Sequence, residues 1–213
     1  MLKQFLGSVL TAAVVFIAPL LGAPDRLLHP APWVGLVMSI ITLMTQPAIG
    51  LSDMVRDRTD RFSAAAIFLG VIAAQLASVL EFGYRADLRP PPASLVFGAG
   101  LCVAIGGLAL RLWAIRTLGR FFTSTVHVEG GQTVVQTGPY SVLRHPSYTG
   151  TLLTSLGLAM TMASTIGVAL TALLALPAYI YRIQVEEKAL AVRLGDAYRA
   201  YSTRTARLVP YVY

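Results

Sequence analysis

The sequence predicts an all-α integral membrane protein, with four transmembrane helices followed by a helical hairpin and a cytoplasmic C-terminal helix. Composition is the first observation behind this class. Of the 213 residues, 55% are hydrophobic and only 13% are charged, and the mean hydropathy is +0.66, which is too apolar for a soluble domain. The second observation is that apolar stretches recur at the length of roughly 20 helical residues that crosses a hydrocarbon core.

Four uninterrupted apolar stretches are long enough to cross. They cover residues 5–22, 33–50, 62–82 and 94–115. The first stretch follows a basic residue, as the apolar part of a signal peptide does, but it is too long, and Pro24-Asp25 stands where a small-residue cleavage site would be expected. We therefore predict that it is retained as the first span.

A fifth apolar region covers residues 149–183 and is interrupted only by Ala163-Ser164-Thr165. We interpret it as a tight helical hairpin whose two arms are each slightly short for a full crossing. Leu190, Leu194, Tyr198 and Tyr201 then follow one another at spacings of three or four residues, which is typical of an amphipathic cytoplasmic helix. Such a helix either lies on the bilayer or folds over a site, and the sequence does not separate the two.

These stretches organise the chain as a single membrane domain, residues 1–213. Residues 1–93 are predicted to be scaffold helices and residues 94–213 the chemical core. The single Cys102 excludes an internal disulfide. No Walker motif, Gly-x-Ser-x-Gly elbow or metal-binding Cys/His spacing occurs, so no metal is expected. The glycines between Gly98 and Gly107 lie inside an apolar span, which favours close helix packing over a dinucleotide loop.

The basic residues predict which side of the membrane each connection occupies. If the first helix begins in the cytoplasm, fourteen of the 17 Lys and Arg residues fall on that side and three fall opposite. Because Lys and Arg are in excess in cytoplasmic loops, we expect a multi-pass protein with both termini and the site in the cytoplasm. The bases border spans, so anionic membrane lipids are the expected counter-charge and nucleic acid is not. The fourteen are Lys3, Arg56, Arg58, Arg61, Arg111, Arg116, Arg120, Arg144, Arg182, Lys188, Arg193, Arg199, Arg204 and Arg207.

Polar and ionisable residues flank the predicted hairpin. Residues 138–150 precede it, and Arg182 and Glu186-Glu187 follow its second arm. Ionisable residues at a bilayer boundary are by default a functional-site hypothesis. The alternative is interfacial anchoring, in which Arg snorkels and Tyr marks the headgroup level. Anchors do not require a His-Pro pair, a Tyr and a helical Arg/Glu pair together, so the ordered set favours a site.

Local backbone rules place these groups. Pro146 disfavours helical geometry at His145, so the hairpin helix should begin at or after Ser147, with free amides at its start that can contact a polar ligand. Arg182 and Glu186 are four apart and share a helix face. The adjacent Glu187 leaves a surplus carboxylate that needs a cationic or hydroxyl partner.

These segments resemble the isoprenylcysteine carboxyl methyltransferase family, which includes related membrane phospholipid N-methyltransferases. The resemblance covers roughly residues 111–210 and lies in three pieces in a fixed order. The pieces are Gly138-x-Tyr140-x4-His145-Pro146-Ser147-Tyr148-x-Gly150, then Arg182-x3-Glu186-Glu187-x2-Leu190, then Leu194-Gly195-x2-Tyr198-x2-Tyr201 with a basic residue before Pro210.

The resemblance implies that S-adenosylmethionine binds on the cytosolic side without a Rossmann domain, in a pocket formed by the cytoplasmic connecting segments. It also implies a lipophilic small-molecule or lipidated acceptor that enters from the bilayer. The implied catalytic residues are Arg182, which would meet the acceptor, and Glu186, which would also line the cofactor. The other implied cofactor-binding residues are His127, Gln132, Thr133, Val134, Val135, Tyr140, His145, Pro146, Ser147 and Tyr148.

The chemistry of methyl transfer leaves several acceptors open. A sulfonium methyl is already a strong electrophile, so the protein must mainly align donor and acceptor and exclude water. A carboxylate, such as a prenylcysteine-like carboxyl group, needs no general base, and Arg182 could hold it by a bidentate contact. A phospholipid amine or a thiol would need a base, for which Glu186 or Glu187 is the nearby carboxylate. A non-catalytic carrier or scaffold is the alternative of another class, and the lack of mid-span ionisable residues and of an inverted repeat speaks against a carrier.

Overall fold

The computed structural model describes residues 2–46, 63–85, 93–122 and 133–210. Helices dominate these ranges, and the short connections contain single 3-10 turns at Ala18–Gly22, Pro24–Leu28, Gly119–Phe121 and Gly138–Ser141. The helices are α1 (Leu2–Phe16), α2 (Pro30–Met44), α3 (Ser63–Tyr84), α4 (Ala93–Leu118), α5 (Pro146–Thr161), α6 (Thr165–Leu170) and α7 (Leu176–Ser202).

The predicted all-helical membrane class is confirmed. Within the described ranges, four helical stretches are long and apolar enough to cross a membrane: Leu2–Gly22, Ser63–Tyr84, Ser94–Phe121 and Thr165–Ser202. The first three correspond to the first, third and fourth predicted spans. The second predicted span begins earlier than expected, at Pro30, and its apolar helix of 15 residues ends at Met44. Residues 47–50 of that prediction lie outside the described residues.

The prediction of two short hairpin arms is wrong for the second arm. The turn itself lies where expected, since α5 ends at Thr161 and the Ser164 side chain caps α6 by accepting a hydrogen bond from Gly167 N at 2.8 Å. From there the helix continues past Ile183 as far as Gly195, through one π-helical turn at Thr171–Ala175. Pro177 follows that turn, and a proline removes one helical hydrogen bond and crowds the preceding turn. The wider π turn absorbs this disturbance.

A kink within the predicted C-terminal helix, at Gly195, sets off the last turns of α7 from the rest of that helix. The backbone angles of Gly195 are φ 56° and ψ −132°, which are not helical. Only glycine adopts this conformation readily, because it has no Cβ. Beyond the bend, Tyr198 and Tyr201 are buried against the protein. The last turns of α7 thus fold back over the connection that precedes α5.

Helices α4 and α5 approach each other closely through glycines, as expected for small residues in a membrane-embedded interface. A Cβ atom added at Gly157 would lie 2.3 Å from Ala104 N, and one added at Gly150 would lie 2.6 Å from Gly107 O. Backbone therefore packs on backbone along both helices. This contact places the last turns of α4 beside the first turn of α5.

A buried carboxylate fixes the opposite end of the bundle. Glu81, near the end of α3, accepts hydrogen bonds from Ser164 Oγ at 2.7 Å, Thr165 Oγ1 at 3.1 Å and Ile166 N at 2.9 Å. Burial of a carboxylate is costly unless it is hydrogen-bonded, and these three donors offset that cost. The hairpin turn is thereby tied to α3, and α7 starts from a fixed position.

Two adjacent glycines of α4 test the close packing. A Cβ at Gly107 would lie 2.5 Å from Thr154 N, whereas a Cβ at Gly106 would meet nothing within 4 Å. We expect Gly107→Ala to destabilise the protein by about 1–3 kcal/mol because the helices must separate. Gly106→Ala should be neutral or slightly stabilising, since alanine is the better helix former. Thermal unfolding in detergent measures both, and equal stability of the two variants would contradict the packing.

Candidate functional site

Four elements bring polar side chains together at one end of the bundle. They are the first residue of α3, the last turns of α4, the first turn of α5 and the middle of α7. Arg182 NH1 of α7 lies 3.4 Å from Ser63 Oγ of α3, and Arg111 NH1 of α4 donates to Ser147 Oγ of α5 at 2.9 Å. We call this assembly the polar cluster. Glu81 and the hairpin turn lie at the other end of α3 and α5.

Three of the predicted site residues contact Glu186. Its Oε1 accepts hydrogen bonds from Arg182 Nε at 2.8 Å and from the Tyr148 hydroxyl, and its Oε2 lies 3.5 Å from His145 Nδ1. The side chain is 19% exposed, so the ion pairs are only partly screened by solvent. Side chains from two distant segments, residues 145–148 and 182–186, therefore meet at one carboxylate.

Glu187 is held by a different set of cations. Arg144 Nε donates to Oε1 at 2.6 Å and Arg207 Nε donates to Oε2 at 2.9 Å. The cationic partners that the sequence required for the surplus carboxylate are these two arginines. Arg144 also donates to the carbonyl oxygens of Ser202 and Thr205. It thereby joins Glu187 to the end of α7.

His145 lies between the two carboxylates. Its Nδ1 faces Glu186, and its Nε2 lies 3.5 Å from Glu187 Oε1. Its ring stacks on Tyr148, with centroids 5.6 Å apart and planes 3° apart. Burial disfavours the charged imidazolium, but the contacts with Glu186 and Glu187 outweigh it, so the pKa of His145 is raised from its ordinary value. In the described part of the chain, Nε2 has no hydrogen-bond partner.

Residues after α7 hold the segment that carries these groups. Ala206 N donates to Val142 O at 3.0 Å, Arg144 N donates to Ala206 O at 2.7 Å and His145 N donates to Arg207 O at 3.1 Å. We call residues 203–208 the strap. It runs parallel to residues 142–145 like a short piece of sheet. Backbone geometry at His145 therefore depends on a segment that is distant in sequence.

Tyr140 is fixed by the same fold-back. The Tyr201 hydroxyl donates to Tyr140 O at 2.8 Å, and Tyr140 itself is buried. Burial first, and then the nearby Tyr201 and Glu186, raise the pKa of Tyr140 above its ordinary value. Its hydroxyl thus stays protonated at neutral pH and can donate a hydrogen bond.

The remaining predicted site residues differ in their positions and in what the structure says of them. Pro146 is the first residue of α5, one position earlier than predicted. Ser147 is buried and its hydroxyl accepts from Arg111. Residues 133–135 form no helix or strand and are exposed or half-buried, so the cofactor-binding role of Thr133, Val134 and Val135 stays a prediction. His127 and Gln132 lie outside the described residues.

Arg111 is the site residue that the sequence analysis did not single out. Arg111 as a whole is 2% exposed, and its Nη1 donates to both Ser147 Oγ and Thr151 Oγ1, at 2.9 and 3.0 Å. Its Nε and Nη2 form no hydrogen bond within the described ranges. The available signal was a charge inside the apolar stretch 94–115, which marks an intramembrane functional residue.

The arrangement offers charge of both signs to a ligand. Glu186 and Glu187 provide carboxylates, and Arg111 presents a buried cation with unused donors among the described residues. Aromatic rings lie between them, because Tyr148 packs against both His145 and Tyr179, the latter with centroids 4.9 Å apart. A ligand with a cationic centre and a partner with an anionic group can both be held here.

The position of His145 predicts a pH dependence of stability. Because its folded-state pKa is raised above the ordinary 6.5, the stabilisation by Glu186 and Glu187 is fully present below that value and is lost as pH rises through the folded-state pKa. The difference in unfolding temperature between the wild type and His145→Gln should therefore be largest below about pH 6.5 and shrink as the pH rises above that value. Thermal unfolding in detergent checks this, and a constant difference across the range would refute it.

Comparison with known proteins identifies relatives. Residues 99–192 match the isoprenylcysteine carboxyl methyltransferase family. Protein-S-isoprenylcysteine O-methyltransferase A of Arabidopsis thaliana is 32% identical over 143 residues, which cover 65% of this chain and 73% of that protein. Protein-S-isoprenylcysteine O-methyltransferase B of the same plant is 35% identical over 115 residues, covering 53% and 58%. The chain thus spans little more than half the length of the latter relative.

The fold is also known. The solved structure of the eukaryotic intramembrane Ras methyltransferase, isoprenylcysteine carboxyl methyltransferase, without a monobody superposes with a TM-score of 0.56 and 21% sequence identity, over 94% of this chain and 74% of that one. The architecture is therefore shared with an integral multi-pass membrane protein. Together with the match to the plant relative over most of its length, this likeness shows that the chain belongs to the isoprenylcysteine carboxyl methyltransferase family.

Proposed function

We propose that this protein is an S-adenosylmethionine-dependent methyltransferase that acts on the carboxylate of a lipophilic acceptor at the cytoplasmic face of the membrane. One observation carries the proposal. In a member of this family, two motif residues of one segment, His145 and Tyr148, contact the carboxylate of Glu186, a motif residue of a distant segment. The relatives that match are named protein-S-isoprenylcysteine O-methyltransferases, which supports a prenylcysteine-like acceptor.

The polar cluster fits a sulfonium cofactor. His145 Nε2 is buried and makes no hydrogen bond among the described residues, although Glu187 Oε1 lies 3.5 Å away, so it can donate to a ligand, and the Glu186 carboxylate matches a cation. Tyr140, His145, Tyr148 and Glu186 would hold the cofactor, with the backbone of residues 133–135 beside them. When bound, the cofactor supplies an electrophilic methyl group. The protein then has to orient donor and acceptor and exclude water.

The arginines favour an anionic acceptor. Arg111 has two guanidinium nitrogens without a hydrogen-bond partner in the described part of the chain, and it is almost completely buried. A buried cation with unused donors is costly unless an anion completes its surroundings. Arg182, one helical turn before Glu186, lies at the same end of the bundle. A carboxylate that enters from the bilayer would satisfy Arg111 while Glu186 holds the donor.

A carboxylate acceptor also agrees with the state of the acidic residues. An amine or thiol acceptor needs a base. Glu186 is engaged by Arg182 and Tyr148, and Glu187 by Arg144 and Arg207. Carboxylates held in such ion pairs are weak bases. Neither is suited to take a proton from an acceptor, so a carboxylate, which carries none, is favoured.

The Glu186 carboxylate gives the first test. If it accepts hydrogen bonds from the cofactor, Glu186→Gln should weaken binding of S-adenosylhomocysteine by about 1–3 kcal/mol, the cost of a lost charge-assisted bond. Calorimetry in detergent measures the affinity. Asp196→Asn is the matched control, because Asp196 is on the same helix and its side chain is 96% exposed. Unchanged affinity in folded Glu186→Gln protein would remove Glu186 from the site.

Arg182 tests the reaction itself. Membranes that contain the protein should transfer a radiolabelled methyl group from S-adenosylmethionine to a lipophilic acceptor as a base-labile ester. Arg182→Lys keeps the charge but loses the planar fork, so we expect a large drop in labelled ester with nearly unchanged cofactor affinity. The control is Arg199→Lys on the exposed end of the same helix.

Three other results of this assay would change the proposal. Equal losses of cofactor binding and turnover would mean that Arg182 only orients Glu186. Label in a lipid amine or a volatile thioether would replace the carboxylate with the alternative acceptors. A wild-type protein that shows no saturable affinity for S-adenosylmethionine or S-adenosylhomocysteine would be a non-catalytic membrane carrier or scaffold.

A further inference from the structure

A buried tyrosine near the polar cluster has no role in the contacts described so far. Tyr198 lies in the last turns of α7, beyond the bend at Gly195, and it is 5% exposed. Its ring packs on Tyr201, with centroids 6.0 Å apart. Its hydroxyl has no hydrogen-bond partner in residues 2–46, 63–85, 93–122 or 133–210.

A hydroxyl in this situation is unusual. Burial of a polar group without a hydrogen bond is unfavourable, and most buried tyrosine hydroxyls find a partner. Tyr201, three residues further on, shows the ordinary case, because its hydroxyl lies 2.8 Å from Tyr140 O and 3.3 Å from Leu143 O. The two tyrosines share a helix face and differ in this one respect.

The surroundings of Tyr198 contain charges of both signs. The hydroxyl of Tyr201, on which its ring packs, lies 3.3 Å from Leu143 O, and the next residue, Arg144, pairs with Glu187 at 2.6 Å. Glu187 is also the carboxylate next to His145 Nε2, a second buried atom in this region that makes no hydrogen bond among the described residues. Two such atoms in the region of one Arg–Glu pair indicate a place for a polar ligand group.

We infer that the Tyr198 hydroxyl binds the charged amino-acid end of the methyl donor. This inference rests on the proposed function. The adenosine part of the donor is uncharged, whereas its amino-acid end carries an ammonium and a carboxylate. The Arg144–Glu187 pair in the same region offers both signs of charge to that pair. A tyrosine hydroxyl can donate to a carboxylate and accept from an ammonium, so it suits either half of the group.

The test is Tyr198→Phe, which removes one oxygen and leaves the ring in place. Three quantities are measured in detergent: the unfolding temperature without ligand, the affinity for S-adenosylhomocysteine, and the affinity for 5′-methylthioadenosine, which lacks the amino-acid end. We expect an unchanged or higher unfolding temperature, because no bond within the protein is lost. Affinity for S-adenosylhomocysteine should fall about tenfold. Affinity for 5′-methylthioadenosine should stay the same.

The matched control is Tyr201→Phe. This variant loses a hydroxyl that is bonded within the protein, so its unfolding temperature without ligand should fall. A similar fall in Tyr198→Phe would show an internal partner for that hydroxyl and would overturn the inference. Equal losses of affinity for both ligands, or no loss for S-adenosylhomocysteine, would overturn it as well. A wild-type protein that binds neither ligand would instead refute the proposed function and the inference with it.

Discussion

The close contact between α4 and α5 is the constraint on which the site depends. Because glycines let the two backbones touch, the last turns of α4 reach the start of α5, and Arg111 can bond Ser147 and Thr151. The same contact sets where α5 begins, and therefore where Tyr148 meets α7. Bulkier residues at the contact would push the helices apart and leave the Arg111 guanidinium without two of its acceptors. The polar cluster at one end of the bundle thus depends on glycines that lie further along the two helices.

Two neighbouring glutamates of the polar cluster bind different partners. Glu186 accepts hydrogen bonds from Arg182 and Tyr148, which lie within helices, whereas Glu187 accepts them from Arg144 and Arg207 in the flanking segments. Adjacent carboxylates repel each other unless cations separate them. His145 lies between them and, when protonated, adds a fourth positive group. The pair therefore joins the membrane-embedded helices to the connecting segments.

Local patterns predicted much of this structure. Hydropathy predicted the spans, and the spacing of polar residues predicted that Tyr148, His145 and Glu186 belong to a site. Each of these signals lies within a short window of sequence. The second hairpin arm was predicted to end near Ile183 because charged residues begin there, whereas the helix continues through them, and the bend at Gly195 was missed since one glycine in a helical pattern is ambiguous. The contacts of Arg111 and Arg207 were not predictable, because they join segments 36 and 20 residues apart through folding of the whole chain.

The strap has a consequence for how the protein is made. Residues 203–208 pair with a segment about sixty positions earlier in the chain, and the whole hairpin lies between the two. During synthesis this pairing can form only after residues 203–208 have emerged, since the segments of a chain emerge in order. Until then Glu187 lacks Arg207, and the backbone of Arg144 and His145 lacks its acceptors. The polar cluster is therefore completed only by the last part of the described chain, so that shortening the chain before residue 203 would leave its motif residues present but incompletely held.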